Sequence, residues 1–396
     1  MHDMSDQTIR NFKPIMNYRR FGKTERQLSV ITLGGMRYQG GWGEPRDQPS
    51  AEMIEQCARI TQLALDAGIN HIETAHGYGK SEHCYGKVLN EVLQVPRSHY
   101  HLMTKGAADT ASDMRALVEG QLQALRIDHI DLYGWHGIND SARHQTACAT
   151  GGPVEELLKM RDEGLIGNVG FSTHAPYEVI IDSLVTGLFD FVNLHYYYFL
   201  QRNRGAVDYA GAKDMGVFII SPNDKGGKLY EPSDKLRQLC APLTPVQWNA
   251  RWCLANPQIH TLSFGMTEPE HVEEMRGICP VRVPLSAEDL AITKGLDDCL
   301  LVDPASAYEG WELLPDPSGI NIPEVLRHRR MWKCYDQESF GFMRYNMFQE
   351  KGNWFPGAYA TPDRVEQVDT ARSPVAEDVR SMLNEAHGHF FKPKQQ

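Results

Sequence analysis

Short segments rich in apolar and β-branched residues recur along the chain. Each is followed by a longer stretch whose apolar positions fall three or four apart. The short segments are Ser29–Leu33, Ile69–Glu73, His101–Thr104, Ile130–Tyr133, Asn168–Phe171, Phe191–Leu194, Val217–Ile220 and Thr261–Phe264. Their length and composition predict strands buried on both faces. The stretches 52–68, 113–127, 153–164 and 175–187 carry helical periodicity. Pro153 stands where a helix begins, and Gly68 and Gly164 stand where helices end.

Strands alternating with helices predict a parallel β/α arrangement. The span from residue 30 to residue 277 is about the 250 residues of a (β/α)8 TIM barrel. The competing architecture, a doubly wound open sheet, wants a glycine-rich phosphate loop after its first strand. The segment "GGMRYQGGWGE" at that place does not form one. Residues 17–35 alternate like a hairpin turning near Lys23 and Thr24, placed to cover the bottom of the barrel.

The predicted organisation is a loose polar tail over 1–15, a barrel over 16–277 and a mostly helical C-terminal extension over 278–396. In the extension, Ser286 and Asp289 are spaced as a capping box. Trp311, Trp332, Trp354, Phe355 and Phe390 supply apolar area for docking it.

Composition narrows the function classes. The net charge of −11 argues against a nucleic-acid partner. No apolar run approaches the roughly 18 residues of a membrane span, and the N-terminus lacks an apolar signal core. A cytoplasmic protein with no membrane association is expected. The eight cysteines form no C-x-x-C pair and read as reduced thiols.

Active sites of such barrels lie where strands end and βα loops begin. The polar residues at those places are Arg37, Glu73 with Tyr78, Lys105, His136, Ser172 with Thr173 and His174, Asn193 with Tyr196, and Ser221. Four of them make chemical sense together. A phenol titrates near ~10, and a nearby ammonium favours its ionised form. A carboxylate holds the ammonium in place, and a neutral imidazole orients a carbonyl oxygen. Tyr78, Lys105, Glu73 and His136 are thus expected to form a general-acid site for carbonyl reduction.

At these residues the chain resembles the aldo-keto reductase superfamily over roughly 16–277. The resemblance rests on "ETAHGYGKSE" with Glu73 where the family has Asp, Lys105 in "MTKG", His136 in "DLYGWH", "GFSTH", "NLHYY", "SPNDKGG" and "SFGMTEPEHVEEM". It implies a nicotinamide dinucleotide, NADP or NAD. Its binding would fall to Gly35, Met36, Ser172, Asn193, Tyr196, Ser221, Gly227, Gly265, Met266, Thr267 and Glu274. The strand ends and the rim of the expected pocket offer Arg37, Trp135, His174 and Tyr197 as candidate substrate residues, within an aromatic rim that includes Trp42 and Tyr198. The family places a cation near Glu268 to hold a 2′-phosphate. A glutamate repels that group, so the usual NADP preference is not expected, and Lys225 and Lys228 are the candidate compensating charges.

The extension resembles the ferredoxin-type tail of some family members. The positions that would carry thiolates hold Gly310, Leu313 and Asp316, then Asp363, Glu366, Asp369 and Ser373. Without thiolates no iron–sulfur cluster is expected, and no metal site is read from these residues. The expected function is an oxidoreductase moving hydride between a nicotinamide dinucleotide and a small aldehyde or ketone. The alternative is a non-catalytic barrel that serves as a redox sensor or scaffold.

Overall fold

The computed structural model describes residues 9–41, 44–314, 316–347 and 355–393, without the side chains of 225–227. An antiparallel hairpin, β1 (Tyr18–Arg20) and β2 (Gln27–Ser29), precedes the barrel. The parallel strands are β3 (Ile31–Gly34), β4 (His71–Glu73), β5 (His101–Gly106), β6 (Ile130–His136), β7 (Ile166–Ser172), β8 (Phe191–Leu194), β9 (Gly216–Ile220) and β10 (Thr261–Gly265). They pair in sequence order, and β10 closes the barrel on β3. Between and after them come α1 (Ala51–Asp66), α2 (Ser81–Lys87), α3 (Ala111–Leu125), α4 (Ser141–Ala147), α5 (Pro153–Asp162), α6 (Tyr177–Val185), α7 (Arg204–Ala212), α8 (Asp234–Cys240), α9 (Pro245–Leu254) and α10 (Pro269–Arg276).

The (β/α)8 barrel and the hairpin are therefore present as expected. The hairpin turns through a short 3-10 segment at Gly22–Thr24, with Glu25 in the left-handed region at φ 59°. Phe21 and Leu28 are buried with Met103, Leu132, Phe191 and Phe218, inward residues of the barrel strands. The hairpin thus plugs the N-terminal end of the barrel with apolar side chains.

Arg10 and Asn11 fall within the span expected as a loose tail, yet both are anchored. Asn11 Nδ2 donates to Leu65 O at 2.7 Å, and Arg10 Nη1 donates to Asp131 Oδ1 at 2.9 Å. Asp131 is buried and also accepts from Arg26, Arg97 and the Leu102 amide. A buried carboxylate needs such partners, and these three arginines supply them from separate segments. Residues 1–8 lie outside the described residues.

Inward positions of the strands repeat every second residue. Thr32, His71 and Thr261 form a buried polar layer, with Thr32 Oγ1 2.8 Å from His71 Nδ1 and 2.7 Å from Thr261 Oγ1. Two residues further along these strands come Gly34, Glu73 and Ser263, also inward, at the C-terminal end of the barrel.

The chain divides into two compact units. The first runs to Tyr196 and adds 203–222 and 250–284. The second gathers 197–202, 223–249 and 285–396, so two segments from within the 16–277 span belong to it. Its helices include α11 (Ala287–Leu300), α12 (Pro304–Ala307), α13 (Ile322–Tyr335), α14 (Ser339–Asn346), α15 (Pro362–Val365) and α16 (Val379–Phe390). Its core buries Trp311, Val325, Leu326, Leu383 and Phe390, with Trp332 packed at the margin. Trp311 and Phe390 thus spend their apolar area inside this unit's own core. Trp354 lies outside the described residues.

Among the described residues, Ser286 and Asp289 form the expected capping box at α11. No group of three or more His, Cys, Asp or Glu suited to a metal occurs among them, and none of their helices is long and apolar enough to cross a membrane.

Candidate active site

Glu73, Lys105 and His136 stand at the C-terminal ends of β4, β5 and β6, and Tyr78 stands in the loop after β4. That loop is fixed by its backbone to β5. The Thr74 amide donates to Met103 O at 2.8 Å, and the His76 amide donates to Lys105 O at 2.7 Å. These bonds bring Tyr78 back over the strand that carries Lys105.

Lys105 and Glu73 form a direct ion pair, only 1% and 4% exposed at their side chains. Glycines at the flanking inward positions give the pair room. On β6, a Cβ at Gly134 would lie 3.0 Å from Lys105 Cγ. On β3, a Cβ at Gly34 would lie 2.8 Å from Ser263 Oγ. With no side chain at Gly34, Glu73 reaches β10, where Ser263 Oγ donates to its Oε2 at 3.3 Å.

The Tyr78 hydroxyl donates to Glu73 Oε1 at 3.3 Å. The Lys105 ammonium faces the Tyr78 ring, 4.9 Å from its centroid. His136 meets the Tyr78 ring edge-on, with centroids 5.8 Å apart and planes at 87°.

Burial sets the protonation states. It pushes the Tyr78 phenol above its ordinary range. It drives Lys105 well below the usual ammonium value, while the touching Glu73 carboxylate opposes that shift. His136 is held down to about 3, first by burial and then by the charges of Lys105, Arg143 and His76. Its imidazole is therefore neutral at neutral pH.

A buried polar cluster lies behind Lys105. Glu82 accepts from Thr104 Oγ1 and Gln121 Nε2, each at 2.6 Å. Gln121 also donates to Lys105 O at 3.2 Å and accepts from Tyr133 at 2.6 Å. These groups, like Ser263, were not among the expected site residues. Ser263 was findable, since period-two alternation back from Gly265 puts it inward. The Glu82 cluster carried no sequence signal, because its members come from α2, β5, α3 and β6.

Ser172 and Asn193 are in register on neighbouring strands. Ser172 Oγ accepts from the Gly137 amide at 3.1 Å. Asn193 is buried, with Nδ2 3.2 Å from Met103 Sδ and with Oδ1 lacking a hydrogen-bond partner among the described residues. An unpaired buried amide oxygen fits a ligand that brings an N–H donor, as a nicotinamide carboxamide does. Thr173 stands where the family has Asn, and its hydroxyl is engaged with Ile138 O at 2.6 Å and the Ala175 amide at 3.0 Å.

The remaining expected cofactor residues are spread along the strand ends. Met36 is exposed, whereas Met266 is buried. Gly35 is closely packed, since a Cβ there would lie 2.6 Å from Ser81 Oγ. Tyr196 is buried with its ring 5.6 Å from that of Trp252. Ser221 adopts φ 51° just after β9. Lys225 and Gly227 fall in 225–227, whose side chains lie outside the described residues. Lys228 pairs with Glu231 at 2.7 Å.

Glu268 caps α10 with its own carboxylate, and His271 Nδ1 accepts from the Thr267 and Glu268 amides at 3.2 and 3.3 Å. The protein's own side chains thus occupy amides at this helix start. Glu274 lies within α10.

The expected substrate residues do not all converge. Arg37 is exposed after β3, with its stem against Gly265, where a Cβ would lie 3.0 Å from Arg37 Cγ. His174 Nδ1 lies 2.8 Å from His195 Nε2. Trp135 is fully buried on the outer face of β6, sharing the parity of Tyr133, which bonds α3. Strand alternation therefore turns Trp135 away from His136 and the barrel interior. Arg143 of α4 covers its ring at 4.7 Å and donates to His136 O at 2.9 Å. Tyr197 belongs to the second unit, where its hydroxyl donates to Asp224 at 3.3 Å. Tyr198, in the same unit, donates to Asp297 at 2.7 Å. Trp42 lies outside the described residues.

Comparison with known proteins agrees with the barrel fold. Residues 30–298 match the model of the aldo/keto reductase family. The chain is 24% identical over 333 residues to L-galactose dehydrogenase of Arabidopsis thaliana, covering 76% of this chain and 98% of that protein. It is 28% identical over 205 residues to methylglyoxal reductase DkgA of Yersinia pestis, covering 51% of this chain and 71% of that protein. Among solved structures, the holo form of an aldo-keto reductase from Bacillus halodurans matches with a TM-score of 0.58 at 20% identity, over 71% of this chain and 96% of that one. A Klebsiella pneumoniae aldo-keto reductase in complex with NADPH matches with a TM-score of 0.55 at 21% identity, over 70% and 94% of the two chains. The structural likenesses speak for the fold. The chain belongs to the aldo/keto reductase family and is a nicotinamide-dependent oxidoreductase of carbonyl and alcohol groups.

Proposed function

We propose that this protein reduces a small aldehyde or ketone, or runs the reverse oxidation, with Tyr78 as the group that exchanges a proton with the substrate oxygen. When bound, a nicotinamide dinucleotide supplies or accepts the hydride. His136, neutral and beside Tyr78, donates a hydrogen bond that orients the carbonyl oxygen. Lys105 and Glu73 set the electrostatics beneath Tyr78. Ser172 and the unpaired Asn193 oxygen hold the nicotinamide carboxamide. Arg37 and His174 are the candidates for contact with the rest of the substrate.

The observation that carries this reading is the convergence of Tyr78, Glu73, Lys105 and His136 from three successive strand ends. For the cofactor we favour NADH. The Glu268 carboxylate stands at the start of α10, where a 2′-phosphate would meet like charge.

Replacing Tyr78 by Phe tests the reading. Turnover of 4-nitrobenzaldehyde is expected to fall by about 10²–10⁴-fold. Dinucleotide affinity, followed by fluorescence titration, is expected to stay unchanged. Undiminished turnover would overturn the assignment.

A further inference from the structure

Arg37 holds an exposed cation at the mouth of the barrel. Its segment, the 3-10 turn Met36–Tyr38 after β3, is pinned on two sides. The Gly35 amide donates to Glu73 O at 2.7 Å, and the Tyr38 hydroxyl donates to Met266 O at 3.2 Å. From this turn the Arg37 side chain crosses the end of β10. A Cβ on Gly265 would lie 3.0 Å from Arg37 Cγ and 3.1 Å from its Nε. Gly265 has the inward parity of Thr261 and Ser263, so that Cβ would point into the mouth. The Arg37 stem therefore lies inside the mouth, one inward repeat, roughly 6.6 Å, beyond Ser263. Ser263 bonds Glu73, and Glu73 bonds Tyr78.

Among the described residues Arg37 makes no hydrogen bond and no ion pair. The carboxylates on the surrounding loops are engaged elsewhere. Glu73 holds Lys105, Glu44 holds Lys80, and Glu268 caps α10. His136 is neutral. Two further cations stand on neighbouring loops. Arg143 bonds the His136 and Gly137 carbonyls, and Arg46 bonds Gly79 O and lies 4.0 Å from Glu82. An ordinary surface arginine extends into water, whereas this one lies back over a glycine. A guanidinium fixed by its stem and open to solvent is set to take a carboxylate in the fork of its N–H groups.

We propose that Arg37 sets substrate specificity, selecting aldehydes and ketones that carry a carboxylate at the end remote from the reacting carbonyl. The inference rests on the role of Tyr78 proposed above and names the substrate class of that site. The carbonyl oxygen lies at Tyr78 and His136, and the carboxylate meets Arg37 across the mouth.

The test compares 4-carboxybenzaldehyde with 4-nitrobenzaldehyde, two planar molecules of nearly the same shape that differ in charge. The ratio of their kcat/KM values, carboxylate over nitro, is read with NADH in wild type, Arg37→Met and Arg37→Lys. Arg37→Met keeps the stem over Gly265 and removes the charge. It is expected to lower the ratio by about tenfold or more. Arg37→Lys keeps the charge without the fork and is expected to restore part of the ratio. Raising the ionic strength is expected to lower the wild-type ratio more than that of Arg37→Met.

An equal ratio in wild type and Arg37→Met would overturn the proposal. So would a weakened NADH affinity in Arg37→Met with an unchanged ratio, which assigns the guanidinium to the dinucleotide diphosphate. Calorimetric Kd values of the two aldehydes in the presence of NAD, which has no hydride to give, carry the same comparison without turnover. A Kd ratio that Arg37→Met leaves unchanged would equally overturn the proposal. Undiminished turnover in Tyr78→Phe would instead overturn the broader reading, while both ratios would still report on Arg37.

Discussion

His136 stands edge-on to Tyr78, with ring centroids 5.8 Å apart, and burial keeps its imidazole uncharged down to about pH 3. In the proposed reaction a neutral ring and a neutral phenol would together offer two hydrogen-bond donors to one substrate oxygen. That is the arrangement a carbonyl needs as its oxygen gains charge. The pH dependence of kcat should accordingly show no inflection from His136 between pH 5 and 8. Its NMR titration should fall near 3, and a midpoint near the ordinary 6.5 would contradict this. The sign for stability follows. The unfolded ring binds a proton below about 6.5 and the folded ring does not, so His136 lowers stability as pH falls from there toward its folded value.

The Lys105–Glu73 pair should be costly to break from one side. Lys105→Met leaves a buried carboxylate without its cation and should lower the unfolding free energy by about 3–5 kcal/mol. The double variant Lys105→Met with Glu73→Gln should recover much of that loss, because no net charge remains buried. Chemical denaturation of the single and double variants measures the difference. Additive losses would count against the coupling.

Asp131 ties three arginines to the N-terminal end of the barrel. Burial alone would raise its pKa, but contacts with His101, Arg97 and Arg10 outweigh that and hold the carboxyl well below the usual range. Its stabilising contribution is thus complete above the unfolded value of about 4 and lost as pH falls through the lower folded value. Asp131→Ala should cost about 3 kcal/mol or more at neutral pH. The deficit relative to wild type should shrink in strong acid, as read by urea unfolding at several pH values.

Phe21 is fully buried where the hairpin plugs the barrel. Phe21→Ala should destabilise by about 3–5 kcal/mol through lost burial and the cavity left behind. Turnover at low temperature should be retained, since the plug lies at the opposite end from Tyr78. Thermal unfolding with parallel assays separates the two effects.

Glu268→Gln should improve NADPH binding by about fivefold, the Coulomb effect of one charge near the surface, and leave NADH binding nearly unchanged. Parallel fluorescence titrations give both Kd values. Equal changes for the two dinucleotides would place the 2′-phosphate away from Glu268.

The sequence by itself determined the barrel, the hairpin and the strand ends that carry Glu73, Lys105 and His136. Those features come from local periodicity and from glycine and proline at helix ends, which act within a few residues. Whether a named side chain faces the site depends on strand parity, register and closure. Trp135, one residue before His136, faces outward, while Ser263 on the last strand faces in to meet Glu73. The tertiary structure alone decided that Tyr78 bonds the carboxylate and not the ammonium. That contact needs the reach of Glu73, the gap at Gly34 and a hydroxyl 190 positions away on β10 to coincide, and only the closed barrel brings them together.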